Sequence, residues 1–179
     1  SWFPFPDNSE LDWEHYGRAD YLYVSHLHRD HYDPEHLKRF ISTDATVLLP
    51  EYPTDELYDA LRDVGFTKFV KTVSGEVVDL DGLNVMIQAL ISPTDGPIGD
   101  SSLWLSDGQF TLLNQNDARP TDLSAFAELG HVDAHLLQYS GAIWYPMVYE
   151  LPERAKRTFG EQKRARQFDR TVRYIDDLK

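Results

Sequence analysis

The chain has 179 residues, 41% of them hydrophobic, which is enough for one domain with a sizeable core. Its 17 basic and 30 acidic side chains give a net charge of −13, which argues against binding to nucleic acid through phosphate contacts. No cysteine is present, so these residues form no disulfide, no thiolate nucleophile and no cysteine-ligated metal or iron–sulfur centre.

The sequence also bears on location and on the limits of the chain. It contains no run of about 18 apolar residues that would span a membrane, and we expect a cytoplasmic protein without a membrane partner. It begins with Ser1 and not with Met. We therefore expect residues 1–179 to be a single domain from a longer chain, truncated at both ends.

The first half of the sequence predicts alternating strands and helices. Residues 1–18 are rich in aromatic residues and proline and predict a loop packed over an apolar surface, without a regular element. Residues 19–24 predict a short strand of aromatic and β-branched residues. The remaining predicted elements are a helix that begins at Asp33-Pro34, a strand over Thr46–Leu49 and a helix from Thr54 to Gly65.

A histidine-rich loop follows the first predicted strand and holds His26, His28, Asp30 and His31 in an H-x-H-x-D-H pattern. In extended backbone His26 and His28 project to the same side, so both can bind one ion. Asp30 and His31 follow where the loop turns and can hold a second ion. Imidazole and carboxylate ligands suit zinc, and also manganese, iron or nickel. The alternative interpretation is a histidine-rich surface loop or a set of core histidines.

The second half predicts β-hairpins. Residues 92–100 are rich in proline and glycine and predict a loop long enough to line a site. Asp117 directly follows a predicted strand, and taken alone it is an ordinary turn residue. The predicted elements are strands over Lys68–Val73, Glu76–Leu80, Leu83–Leu90, Ser101–Leu105 and Phe110–Leu113, a helix over Asp122–Leu129 and a strand over Val132–Tyr139.

Residues 151–179 predict a charged helix with nine Lys or Arg and five Asp or Glu. We expect it to dock on its own domain through Phe159, Phe168, Val172 and Ile175, and anion binding by this basic segment is the alternative. His36 is expected to be an exposed residue in the first turn of its helix. His131 and His135 have no ligand-like neighbours in the sequence and are expected to be structural.

Three stretches carry a resemblance to a known family. Tyr23–His31, with its H-x-H-x-D-H motif, resembles the signature of the metallo-β-lactamase-fold hydrolase superfamily. Asn116–Pro120 and Tyr139–Ala142, followed by Tyr145–Met147, are similar to the CMP-N-acetylneuraminate hydroxylase-like, Rieske-associated branch of that superfamily. The resemblance implies an α/β fold, a metallo-β-lactamase-like αββα sandwich.

The resemblance also implies roles for individual residues. His26 and His28 would bind a first metal ion, Asp30 and His31 a second, and Asp117 would bridge the two. Asp30 and Asp117 are then the catalytic carboxylates. The implied cofactor is a divalent metal, zinc in the first place, with manganese or iron as alternatives.

The sequence departs from the superfamily pattern at two ligand positions. After Leu90, where a third metal-binding histidine is expected, the loop offers only Asp95 and Asp100. Ser140-Gly141 replaces the last histidine, which commonly follows a strand. Either the site has fewer ligands, or carboxylates and residues outside this sequence complete it. The Rieske module of the hydroxylase branch needs cysteines and is missing from this chain.

Three functions are compatible with these observations. The first is a metal-dependent hydrolase in which a metal-activated water attacks a carbonyl or phosphoryl centre of a small, anionic substrate. The second is an oxidoreductase component that binds substrate for an iron centre supplied elsewhere. The third is a domain that binds a ligand or partner without turnover.

Overall fold

The computed structural model describes residues 7–91, 99–116, 118–139 and 145–179, which form eight strands in two sheets, with helices outside them. The strands are β1 (Tyr21–Tyr23), β2 (Thr46–Leu49), β3 (Lys68–Lys71), β4 (Val77–Leu80), β5 (Leu83–Leu90), β6 (Asp100–Ser106), β7 (Thr111–Asn116) and β8 (Ala134–Leu137). The helices are α1 (Trp13–Tyr16), α2 (Pro34–Phe40), α3 (Glu56–Val64), α4 (Ser124–Ala127) and α5 (Glu153–Asp177).

The first sheet is parallel and comes from the first half of the chain. Its strand order is β1-β2-β3, and α2 and α3 are the connections that a parallel arrangement requires. Both helices pack on this sheet through a cluster of buried side chains that includes Val47, Leu57, Leu61 and Phe66. This sheet therefore has one face covered by helices.

The second sheet has the order β4-β5-β6-β7-β8 and is antiparallel except for the β7–β8 pair. The β4–β5 hairpin turns at Asp81 and Gly82, whose φ angles of 56° and 95° are those that a tight hairpin turn needs. α4 and α5 pack on this sheet through buried residues that include Trp104, Phe126 and Tyr174.

The two sheets pack face to face. Leu48 of the first sheet shares a buried cluster with Val85, Ile87 and Leu103 of the second. The layer order is therefore helix, sheet, sheet, helix, which confirms the α/β sandwich predicted from the sequence. Within the described ranges, no helix combines the length and the apolar character that crossing a membrane requires.

Two sequence-based predictions about helices are wrong. The short helix α1 interrupts the predicted N-terminal loop, because the Asp12 carboxylate accepts a hydrogen bond from the His15 backbone N–H and caps a single turn. In α5 the buried side chains are Gln167 and Tyr174. The side chains that were expected to be buried there are 37%, 66%, 40% and 43% exposed: Phe159, Phe168, Val172 and Ile175.

Candidate metal site

The histidine-rich loop leaves the end of β1 and is anchored at Ser25. The Ser25 carbonyl accepts a hydrogen bond of 2.9 Å from Ser101 Oγ and a second from the Tyr52 phenol. Tyr23 Oη in turn donates to the Ser101 carbonyl at 3.0 Å. The loop is therefore held by both sheets, since Ser101 belongs to β6 and Tyr23 to β1.

The Tyr52 phenol donates a hydrogen bond to this loop. Burial, and to a smaller extent the nearby Asp100 carboxylate, raises the pKa of Tyr52 well above the ordinary value for tyrosine, although a hydrogen bond with Ser101 opposes the shift. The hydroxyl therefore keeps its proton at neutral pH and continues to donate to the Ser25 carbonyl.

Three imidazole rings lie together at the start of the loop. The ring centroid of His26 is 4.4 Å from that of His28 and 4.3 Å from that of His31. His26 Nε2 and His28 Nδ1 are 2.8 Å apart, which is hydrogen-bonding distance. His26 is only 1% exposed, whereas His28 lies at the surface, so one side of this contact faces solvent.

Asp100, the first residue of β6, lies beside the Nδ1 nitrogen of His26, which Ser25 Oγ also contacts at 3.0 Å. Its Oδ1 lies 3.1 Å from His26 Nδ1, and an ionised carboxylate can only accept a hydrogen bond. The contact therefore favours a proton on Nδ1 and leaves Nε2 with a lone pair directed at His28. A histidine that binds a metal commonly donates its other ring N–H to a carboxylate in this way.

The donor set fits a metal ion after a small adjustment. Two nitrogens bound to one tetrahedral zinc are about 3.3 Å apart, so His26 Nε2 and His28 Nδ1 would separate by about 0.5 Å when an ion replaces the proton between them. Among the described residues, no group of three or more His, Asp or Glu side chains is already arranged as metal ligands.

Asp30 and His31, the predicted second pair, lie at the solvent side of this cluster. Asp30 Oδ2 is 3.8 Å from His31 Nε2, and the Asp30 side chain is 44% exposed. Ser25 Oγ lies 3.5 Å from His31 Nδ1 and 3.0 Å from His26 Nδ1, so it bridges the two rings. The assignment of this pair to a second ion stays a prediction.

Comparison with known proteins bears on the fold. No protein-family model matches the sequence. The chain is 58% identical over 183 residues to the "Putative Rieske 2Fe-2S iron-sulfur protein" of Mycolicibacterium smegmatis; the match covers 98% of this chain and 35% of that protein. It thus spans about a third of the length of the curated relatives that it matches.

The structural similarities extend over most of the chain. The crystal structure of CmlA, a diiron β-hydroxylase from Streptomyces venezuelae, is 21% identical and superposes with a TM-score of 0.57, covering 90% of this chain and 34% of CmlA. The metallo-β-lactamase-fold protein YhfI from Bacillus subtilis is 16% identical, with a TM-score of 0.44 over 65% of this chain and 47% of YhfI.

The fold is metallo-β-lactamase-like. Within it, the histidine-rich loop lies at the end of β1, next to the start of β6, where Asp100 and Ser101 meet it. Because β6 and β7 are antiparallel, the last residue of β7 also reaches this edge, and Asn116 Nδ2 donates to the Ser101 carbonyl at 2.7 Å.

Asp117, the predicted bridging carboxylate, lies outside the described residues, as does Asp95. The place of Asp117 in the ligand set stays a prediction. The residue before it, Asn116, has a φ of 41°, a left-handed conformation that asparagine tolerates. The backbone therefore turns sharply directly beside Ser101.

Three of the four histidines outside the loop, His36, His131 and His135, lie away from the metal site in sequence. The His36 ring packs against Trp13 at a centroid distance of 4.5 Å. His135 Nε2 is 2.9 Å from Gln115 Oε1, and burial lowers the pKa of His135 below its ordinary value. His131 is 77% exposed beside Asp133.

The sequence did not identify the residues that support the loop. Asp100 was considered only as a carboxylate in place of a missing histidine, and Ser25, Tyr52 and Ser101 were not singled out. Ser25 directly precedes His26, and adjacency is the only signal that could have drawn attention to it. The contacts of Tyr52 and Ser101 depend on how the two sheets pack.

Proposed function

We propose that this chain is a metal-dependent enzyme domain in which His26, His28, Asp30 and His31, together with Asp117, hold a divalent metal. One observation carries this proposal: the Asp100 carboxylate lies beside Nδ1 of the buried His26, which favours a lone pair on His26 Nε2 directed towards the more exposed His28. A carboxylate that accepts from the other ring N–H is the usual partner of a histidine that binds a metal.

The protein residues have distinct roles in this proposal. His26 and His28 bind the metal, and Asp100 keeps His26 oriented through its Nδ1 proton. Asp30 is exposed beside His31, and its carboxylate could hold a proton at this site if it does not serve as a ligand. A divalent metal bound here would act as a Lewis acid and lower the pKa of a coordinated water to about 7.

The first candidate reaction is hydrolysis of a small, anionic molecule at a carbonyl or phosphoryl centre. The second candidate is hydroxylation, with electrons from an iron–sulfur module elsewhere in a longer protein. The second is favoured by the 58% identity to a protein named for a Rieske cluster and by the fold shared with the diiron hydroxylase CmlA. In the first case zinc or manganese would serve as metal, in the second iron.

Metal content and hydrolytic activity can be measured on the same samples. The purified chain is loaded in separate samples with zinc, manganese or ferrous iron, desalted, and analysed for bound metal and for hydrolysis of chromogenic phosphodiester and ester substrates. We expect stoichiometric metal in the wild type and its loss in His26→Ala. His131→Ala is the matched control, because that histidine is exposed and remote from the cluster in sequence.

The outcomes distinguish the three functions. Zinc- or manganese-dependent hydrolysis that disappears in His26→Ala supports the hydrolase. Tight iron binding without hydrolysis favours the hydroxylase component, which is then tested by oxygen consumption with the full-length protein and a reductant. A metal content in His26→Ala equal to that of the wild type would refute the metal site and leave a non-catalytic binding domain.

A further inference from the structure

A cavity lies between α5 and the ends of β7 and β8, away from the histidine-rich loop. It is basic, although the chain as a whole is acidic. Its volume is about 430 Å³, and its lining includes four cationic side chains and two aromatic rings: Arg119, Lys163, Arg166, Arg170, Tyr145 and Phe159. Among the described residues that line it, none is Asp or Glu. In a protein with a net charge of −13, such a concentration of cations is a local exception.

The arginines of this basic pocket are not neutralised by the rest of the described chain. Among the described residues, no carboxylate forms an ion pair with Arg119, Arg166 or Arg170. Burial, followed by the charges of Arg119 and Arg173, lowers the pKa of Arg170 below its ordinary value. Cations held close together without counter-charges repel one another, and an anion between them would relieve that repulsion.

Hydrogen bonds hold the guanidinium groups in place. Arg119 Nη2 donates to Gln138 Oε1 at 3.0 Å, and Arg170 Nη2 donates to Gln167 Oε1. Gln167 Nε2 donates to the Gln138 carbonyl at 3.0 Å and is itself buried. The two arginines are therefore positioned before any ligand arrives, which reduces the entropy lost on binding.

The rings of Tyr145 and Phe159 form an apolar wall beside these cations. Their centroids are 6.3 Å apart and their planes are inclined by 24°. A ligand with an anionic group and a flat or apolar part would therefore contact both halves of the pocket.

A continuous series of hydrogen bonds joins this pocket to the histidine-rich loop. Ser101 donates to the Ser25 carbonyl, and Asn116 donates to the Ser101 carbonyl. The Gln138 N–H donates to the Asn116 carbonyl at 2.8 Å, and Gln138 Oε1 accepts from Arg119. Both features therefore lie along the same edge of the second sheet.

We propose that the basic pocket binds a phosphate-type oxyanion of a small molecule. The pocket needs no metal for this, whereas identifying the small molecule as the substrate of the histidine site rests on the function proposed above. The guanidinium groups would donate paired hydrogen bonds to the oxyanion, and the aromatic wall would contact the remainder of the molecule.

The test is calorimetric titration of inorganic pyrophosphate into metal-free protein at low ionic strength. The variant Lys163→Gln/Arg166→Gln removes two pocket charges. The matched control, Arg157→Gln/Arg164→Gln, removes two exposed charges from the same helix outside the pocket. We expect the pocket variant to weaken binding about tenfold or more and the control to change it by less than about twofold.

Several outcomes would overturn the proposal. Equal weakening in both double variants would mean that pyrophosphate is attracted by the general positive charge of the helix and not by a defined site. If the wild type does not bind pyrophosphate, the pocket is not an oxyanion site. Co-sedimentation with phosphatidylglycerol vesicles without binding of soluble pyrophosphate would replace the small molecule by a lipid headgroup. A chain that binds pyrophosphate but no metal would refute the proposed function and leave the oxyanion site intact.

Discussion

The Oδ1 atom of Asp100 accepts a hydrogen bond from the Ser101 backbone N–H at 2.7 Å and also lies 3.1 Å from the Nδ1 atom of buried His26. The carboxylate is thus fixed by its own strand and fixes the imidazole in turn. It links the start of β6 to the loop after β1, two segments that are distant in sequence.

Asp100→Asn should weaken metal binding about 10- to 100-fold, because the neutral amide orients His26 less strongly and no longer favours a proton on Nδ1. Competition with a chromogenic chelator measures this affinity. Asp81→Asn is the control, since Asp81 is exposed in a hairpin turn and has a φ of 56° that asparagine also adopts. An unchanged affinity in Asp100→Asn would assign Asp100 a purely structural role.

Added zinc, manganese or ferrous iron should raise the melting temperature, because a ligand that binds only the folded state stabilises it by about 2.7 kcal/mol at 100 times its dissociation constant. Differential scanning fluorimetry follows this shift. The shift should be smaller in Asp117→Ala than in the wild type, and unaltered in the exposed helical control Asp59→Ala. Equal shifts in all three proteins would remove Asp117 from the site.

Phe126→Ala should reduce the free energy of unfolding by about 3–5 kcal/mol, because this ring is fully buried where α4 packs on the second sheet. Phe168→Ala, on the exposed face of α5, should change it by less than about 0.5 kcal/mol. Urea denaturation of both variants measures the difference. Comparable losses would show that the Phe168 face is covered in solution.

His135 should make the fold less stable in acid. Its pKa is lowered from the ordinary 6.5 by burial, so between the two values the unfolded chain binds more protons than the folded chain. The free energy of unfolding therefore has its full value above the pKa of His135 in the unfolded chain, and it falls as the pH drops below that pKa. His135→Gln should lose less unfolding free energy than the wild type between about pH 7.5 and 5.5. Parallel pH profiles of the two proteins would contradict this assignment.

The sequence predicted local structure well where a few neighbouring residues determine the conformation. Asp33 caps α2 through the N–H groups of Glu35 and His36, and Pro34 occupies the first turn, as expected from the Asp-Pro pair. The Asp81-Gly82 turn likewise has the positive φ angles of a tight hairpin. In both cases the energy that decides the conformation comes from residues within one turn.

The docking face of α5 could not be predicted in this way. Apolar spacing suggested Phe168 and Val172, but the buried residues include Gln167 and Tyr174. Tyr174 Oη donates to the Pro120 carbonyl at 2.7 Å, and Gln167 donates to Gln138, so polar partners on the body of the protein determine the rotation of the helix. Those partners are far away in sequence.

The sequence by itself determined that His26, His28 and His31 lie close together, because all three fall within six consecutive positions at the end of one strand. It also predicted alternating strands and helices, while the αββα layer order was implied by the resemblance that the H-x-H-x-D-H stretch carries. Only the tertiary structure decided that Asp100 and Ser101 support this loop and that a basic pocket forms beside Gln138. These contacts follow from the sheet register and from the packing of one sheet on the other, to which each residue contributes only a small part.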